Sequence, residues 1–184
     1  TGIGNYEDKV LKKKGKARVI WNNLKGKKSR GVIGEDPENN LVFVAKPMGV
    51  VASVCPVTNP IATPMCNGMF ALKTGNAVIF APHPKAQKCT DHLTTEFMKI
   101  VKKHGGPDNL IQTIKKGSVE KTQELMRSVD VVVATGGAAM VKSAYSSGKP
   151  SYGVGAGNVP VIIDRGVDFK DAVGKIVTGA GFDN

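Results

Sequence analysis

Three short stretches of this sequence combine residues that could hold a ligand or stabilise charge. Thr135-Gly136-Gly137 follows the apolar run Val131–Ala134 and opens a helical pattern. Glycines at such a turn let a ligand approach the backbone, and a helix N-terminus offers unpaired N–H groups and the positive end of its dipole. The same pattern also serves a plain tight turn, and it falls short of a full GxGxxG signature. Gly153-Val154-Gly155-Ala156-Gly157-Asn158 removes side chains from alternate positions. That suits a cofactor lying against the chain, or equally a strand crossing closely beneath another element. No Gly-Lys-Ser/Thr follows it, so a P-loop ATPase reading fails there. The third stretch, Cys55-Pro56-Val57-Thr58-Asn59-Pro60, ends a strand and starts a helix. The Asn59 amide at this turn could donate to a developing oxyanion, or simply cap the helix. Cys55 has no histidine or acid beside it in sequence, which favours a buried, inert thiol over a nucleophile.

The elements that must position these turns alternate along the chain. Extended runs at Gly49–Val54, Asn76–Ala81, Leu110–Ile114, Val129–Ala134 and Pro160–Asp164 read as strands. Between them, helical spacing falls over Ile61–Leu72, over the segment carrying Leu93, Phe97, Ile100 and Val101, from Ser118 through Met126, and over Ala138–Tyr145. His104 followed by Gly105-Gly106-Pro107 is a helix stop, and Asp168 caps a last helix with Asp171 in its first turn. Repeated strand–helix alternation implies βαβ units, hence an α/β fold with a doubly wound, Rossmann-like, mostly parallel sheet. Ligands in such sheets bind beyond the carboxyl ends of the strands. Residues 1–48 read separately, as a lysine-rich helix or connector followed by two extended pieces, Gly31–Gly34 and Leu41–Ala45, joined by a loop. Residues 49–184 form the α/β domain.

Composition narrows the function classes. The 184 residues are 41% hydrophobic and carry a net charge of +11, but ten Lys or Arg and no acid lie between residues 9 and 30. This is one local run, without the interleaved aromatics of a single-strand binder, so nucleic acid is not the expected partner. No stretch approaches the roughly 18 apolar residues of a membrane span, and no leader pattern opens the chain. A cytoplasmic location is therefore expected. Three cysteines without a CxxC pair, and three scattered histidines, leave no metal signature.

Further motifs appear in order along the chain: Tyr6-Glu7-Asp8-Lys9, Pro56-Val57-Thr58-Asn59-Pro60, Leu72-Lys73-Thr74-Gly75-Asn76-Ala77, Pro82-His83-Pro84-Lys85-Ala86, Ala134-Thr135-Gly136-Gly137 and Ala144-Tyr145-Ser146-Ser147-Gly148-Lys149-Pro150. With the glycine-rich Gly153–Asn158, this series resembles the CoA-acylating branch of the aldehyde dehydrogenase superfamily over nearly the whole chain. The resemblance implies oxidation of an aldehyde through a thiohemiacetal on a cysteine, with NAD (or NADP) as hydride acceptor and coenzyme A as acyl acceptor. It implies that Asn59 supplies the oxyanion hole. Pro56, Val57 and Thr58, the strand end Ala81, Pro82, His83 and Pro84, the turn Thr135, Gly136 and Gly137, and Met140, Val154 and Gly155 would border the cofactor, Met140 against the adenine. Val154 stands where hydrolytic relatives carry a glutamate that activates water; valine cannot act as a base.

The family's nucleophilic cysteine follows the Phe182-Asp183-Asn184 segment by a few residues, and Cys55, Cys66 and Cys89 do not match its position. The resemblance thus implies a cofactor-binding core of a longer enzyme; a non-catalytic nucleotide-binding or interaction module is the alternative. The Thr63–Asn67 segment resembles members acting on succinate semialdehyde, with acetaldehyde another short substrate. The extended pair before residue 48 resembles an oligomerising hairpin, which implies a homo-oligomer.

Overall fold

A computed structural model describes residues 2–157 and 159–183. Helix α1 (Tyr6–Leu24) starts at Asn5, whose side chain accepts from the backbone N–H groups of Glu7 and Asp8. It buries no residue completely and lies along α2 (Ala62–Lys73). Strands β1 (Gly31–Asp36) and β2 (Leu41–Ala45) then pair antiparallel as a separate hairpin. Val32, Ile33, Leu41, Val42, Phe43 and Val44 are all exposed there.

The remaining strands form one parallel sheet. β3 (Val50–Cys55), β4 (Ala77–Pro82), β5 (Ile111–Thr113), β6 (Val131–Thr135) and β7 (Ser151–Val154) lie in the order β5-β4-β3-β6-β7. The chain therefore winds outward from β3 in one direction, returns, and winds outward in the other. Alternation along β3 divides the core. Ala52 and Val54 face Met126 and Ala144, from α4 (Val119–Ser128) and α5 (Ala138–Tyr145). Val51 and Cys55 face Ala71 of α2 and the helix α3 (Gln87–Lys103), with Phe80 fully enclosed between them. A β-carbon on Gly68 would stand 3.3 Å from the Phe97 ring and 3.4 Å from that of Phe80, so glycine lets α2 settle onto the sheet.

Side chains secure the entry to the sheet. Asn76 Oδ1 accepts from the N–H groups of Met48 at 2.6 Å and Gly49 at 2.9 Å, and Asp130 Oδ2 accepts from Val50 N–H at 2.7 Å. The expected caps are present: Ser118 on α4, Gly105 with φ +74° after α3, and Asp168 on α6 (Phe169–Gly181), with Asp171 in its first turn.

One expectation is corrected. Pro160–Asp164 pairs with no strand, and Ile162 is 92% exposed. The edge beside β6 is taken instead by Ser151–Val154, within the glycine-rich stretch, because those residues meet β6 in register from Ser151↔Val132 to Val154↔Thr135. Truncating Phe80 to alanine removes the ring that both α2 and α3 enclose. Phe80→Ala is expected to destabilise the domain by about 3–5 kcal/mol in urea unfolding.

Candidate nucleotide cleft and the Asn59 turn

Strand order reverses at β3, so the loops leaving the carboxyl ends of β3 and β6 diverge to opposite faces and open a crevice. The cavity at this point has a volume of about 310 Å³. The end of β3 contributes Val54, Cys55 and Pro56 to its wall. The end of β4 and the turn after it contribute Ala81, Pro82, His83 and Pro84. Across the cleft stand Thr135, Gly136, Gly137 and Met140, at the end of β6 and the start of α5. These segments are up to 86 residues apart in sequence, from Val54 to Met140, and the sheet brings them together.

Each wall has a local cause. His83 Nδ1 accepts from Lys85 N–H at 3.2 Å and starts a short 3-10 turn over Pro84–Ala86. With Nδ1 accepting, the ring proton lies on Nε2. At the opposite wall no side chain caps α5, whose N-terminus begins at Gly137. A β-carbon on Gly137 would meet nothing within 4 Å, and one on Gly136 only ordinary contacts with Met140 at 3.5 and 3.6 Å. Protein packing therefore does not require glycine at either position. Gly153 is the opposite case: an added β-carbon would come 2.5 Å from Val141 and 2.8 Å from the Tyr145 ring, whose hydroxyl accepts from Gly153 N–H at 3.1 Å. The glycine-rich stretch is thus a strand pressed beneath α5 at Gly153, whereas β-carbons on Gly155 and Gly157 would meet nothing within 4 Å.

Ser118, Val119 and Thr122 form a further wall that the sequence reading missed. Gln87 holds the loop that delivers it, donating to Ile114 C=O at 2.7 Å and accepting from Gly117 N–H at 3.0 Å. The one local signal was Ser118 as a helix cap, which says nothing of where the helix end points.

The other expected site residues lie apart from this cavity. Val154 ends β7 and is exposed; its carbonyl accepts from Gly136 N–H at 3.1 Å, which ties it to the cleft's glycine turn, and Gly155 follows it. Asn158 and Asn184 lie outside the described residues. Val57 belongs to the turn after β3, while Thr58 and Asn59 line a second cavity of about 260 Å³ together with Lys9, Lys12, Lys13 and Cys89. Asn59 does not cap α2 with its side chain. Its backbone carbonyl accepts from Thr63 N–H at 3.1 Å, and its amide reaches Thr58 Oγ1 at 3.4 Å. Cys55 is 3% exposed, and burial pushes its thiol up to about 12, which removes it as a nucleophile at neutral pH. No group of metal-ligating side chains and no helix long and apolar enough to cross a membrane occur among the described residues.

Beside the second cavity, Asp183 carries a side chain only 6% exposed and pairs with Lys9 at 3.0 Å and with Lys12. The Lys12 hydrogen bond, with a smaller contribution from Lys9, holds its carboxyl below the ordinary 3.8. A depressed folded-state value adds stability that is complete above the unfolded value and disappears as pH falls through the folded one. The stability gap between the wild type and Asp183→Asn, read from urea unfolding, is expected to be constant above about pH 5 and to shrink as pH falls below the ordinary 3.8. A gap independent of pH would show that the ion pair is not its source.

The family model described as "Aldehyde dehydrogenase family" matches residues 15–184. The succinate-semialdehyde dehydrogenase (acetylating) of Clostridium kluyveri is 55% identical over 185 residues, covering all of this chain and 41% of that protein. An acetylating aldehyde dehydrogenase from Geobacillus thermoglucosidasius superposes with a TM-score of 0.95 at 43% identity, over the whole of this chain and 41% of its own. A propionaldehyde dehydrogenase from Rhodopseudomonas palustris, solved with bound CoA and an acylated cysteine, gives 0.79 at 36% identity, over the whole of this chain and 42% of its own. The chain spans about two fifths of the length of these relatives. Family match, sequence identity and superposition agree: the chain belongs to the aldehyde dehydrogenase family.

Proposed function

We propose that this chain is the cofactor-binding part of a cytoplasmic, NAD+-dependent, CoA-acylating aldehyde dehydrogenase. The reaction converts a short aldehyde, CoA and NAD+ to an acyl-CoA and NADH. Succinate semialdehyde is the first substrate to test, on the strength of the 55% identical relative, and acetaldehyde the second. The observation that carries the reading is the cleft at the point where the sheet reverses, with the uncapped start of α5 opening into it.

The residues fit a nucleotide. The cavity is at the lower end of small-molecule pockets, which suits an adenosine moiety rather than a whole dinucleotide. No acidic side chain lines it, and the α5 N-terminus favours phosphate. Glycine at 137, which packing does not demand, leaves backbone open to a close ligand. Met140 and the Ala81–Pro84 strand end supply apolar and edge contacts for the adenosine. Bound nicotinamide would supply the hydride acceptor. Asn59 would donate its amide to the oxygen of the aldehyde carbon as charge develops there. Val154 offers no group to take a proton from water, so a thiol is the fitting acyl acceptor, and coenzyme A supplies it. NADP+ is the alternative cofactor. Residues 1–48 serve as linker and hairpin, and the exposed apolar rows of β1 and β2 favour a homo-oligomer.

NADH formation by the whole polypeptide that carries this chain is expected to require CoA; rapid turnover with CoA omitted overturns the acylating reading. Gly137→Val should fold normally, since nothing obstructs its side chain, and weaken NAD+ binding by about tenfold or more in fluorescence titration. Unchanged affinity would remove the cleft as the cofactor site.

A further inference from the structure

Lys9 lies on α1, outside the nucleotide cleft, yet it joins two distant segments around Asn59. Its Nζ donates to the Thr58 carbonyl at 3.0 Å and pairs with the Asp183 carboxylate at 3.0 Å. Lys12, almost one turn further along the same helix, pairs with the same carboxylate and makes no contact with Thr58 among the hydrogen bonds observed. The Asp183 N–H donates to Asp8 Oδ2 at 3.0 Å. Gly4 packs so closely that a β-carbon there would collide with Asp183 Oδ1. The carboxylate is therefore enclosed, and the Lys9 side chain is only 16% exposed. Against a well-packed apolar replacement an enclosed ion pair gains little net stability, because desolvation offsets its attraction, although losing one partner alone is costly. Stability alone is then a weak account of this cluster.

The geometry around Asn59 offers a stronger one. The Thr58 carbonyl and the Asn59 N–H belong to one planar peptide, so a bond that holds the first orients the second. On the other side of its Cα, the Asn59 carbonyl is held by Thr63 N–H in the first turn of α2. Both flanking peptides are fixed, while the carboxamide itself makes only the long 3.4 Å contact with Thr58 Oγ1.

We propose that Lys9 is a positioning residue for Asn59, its ammonium anchoring the Thr58–Asn59 peptide to Asp183 so that the side-chain amide is aimed at the developing oxyanion. The proposal rests on the reading of Asn59 as oxyanion donor.

The test uses the whole polypeptide, with kcat and KM for NADH formation, the Kd of NAD+ and the thermal midpoint measured for Lys9→Met, Lys9→Arg, Lys12→Met, Asn59→Ala and the Lys9→Met/Asn59→Ala pair. Lys9→Met and Lys12→Met should lower the midpoint alike, since each loses a partner of Asp183. Lys9→Met alone should lower kcat, by about tenfold or more, because small misplacements of catalytic groups have effects of that size. Its KM and NAD+ affinity should stay within about twofold of wild type. Lys9→Arg should restore most of kcat, and Lys9→Met should add no further loss once Asn59 is alanine.

Wild-type kcat in Lys9→Met, an equal kcat loss in Lys12→Met, or multiplicative losses in the double variant would each overturn the proposal. Should Lys9→Met not fold, Lys9→Gln replaces it, its amide being too short to span to the Thr58 carbonyl; failure of both to fold makes Lys9 purely structural and overturns the role. Full kcat in Asn59→Ala sinks the oxyanion reading and the Lys9 role together. A loss in Asn59→Ala without one in Lys9→Met sinks the Lys9 role alone.

Discussion

The molecule depends on β3. This strand is bonded along both edges, to β4 and to β6, and covered on both faces, so it is buried from Val51 to Cys55. Parallel strands need crossovers that pass over a face of the sheet, and the crossovers on either side of β3 pass over opposite faces. The loops that leave β3 and β6 therefore cannot pack on one another. The gap between them is a consequence of connectivity, and the cleft lined by Pro56, Ala81–Pro84 and Thr135–Gly137 occupies it.

Around that gap, backbone positions are fixed by remote partners. Gln87 brings the loop before Ser118 to the cleft, Val154 receives the N–H of Gly136, and the Thr58 and Asn59 carbonyls are each held from a different helix. Among the described residues, no carboxylate, lysine or arginine faces the cleft between β3 and β6, while Lys9, Lys12 and Lys13 gather on the Asn59 side. The turn from Pro56 to Pro60 runs between these two environments, one apolar, the other basic.

Much of this was legible in the sequence, for reasons that differ by element. Helix limits were readable at Asp168, Ser118 and Gly105 because caps are local chemistry. The cleft residues at Ala81–Pro84 and Thr135–Gly137 were readable because strand-to-helix turns carry their own glycine and proline marks. Ser151–Val154 was missed as a strand, since Gly153 breaks the alternating pattern and its reason lies in Tyr145 and Val141 above it. Pro160–Asp164 has strand composition, but composition cannot supply a neighbouring ladder. Lys9 was visible as a member of a basic run and as the last residue of Tyr6-Glu7-Asp8-Lys9, neither of which places it beside Asn59. Its bond to Thr58 joins positions 49 residues apart, and no local pattern announces such a contact.

The sheet's order also imposes a sequence of events on assembly. Val51 pairs with Val78, 27 residues on, and with Val131, 80 residues on. Closing the longer loop is the slower, entropically dearer step. The β3–β4–β5 half can therefore form while β6 is still being synthesised, leaving one edge of β3 bare until the chain reaches Val131. A nascent chain passes through a stage in which one edge of β3 carries unpaired N–H and C=O groups and there is no cleft, and that stage is the point at which pairing with a neighbouring chain competes with completion of the fold.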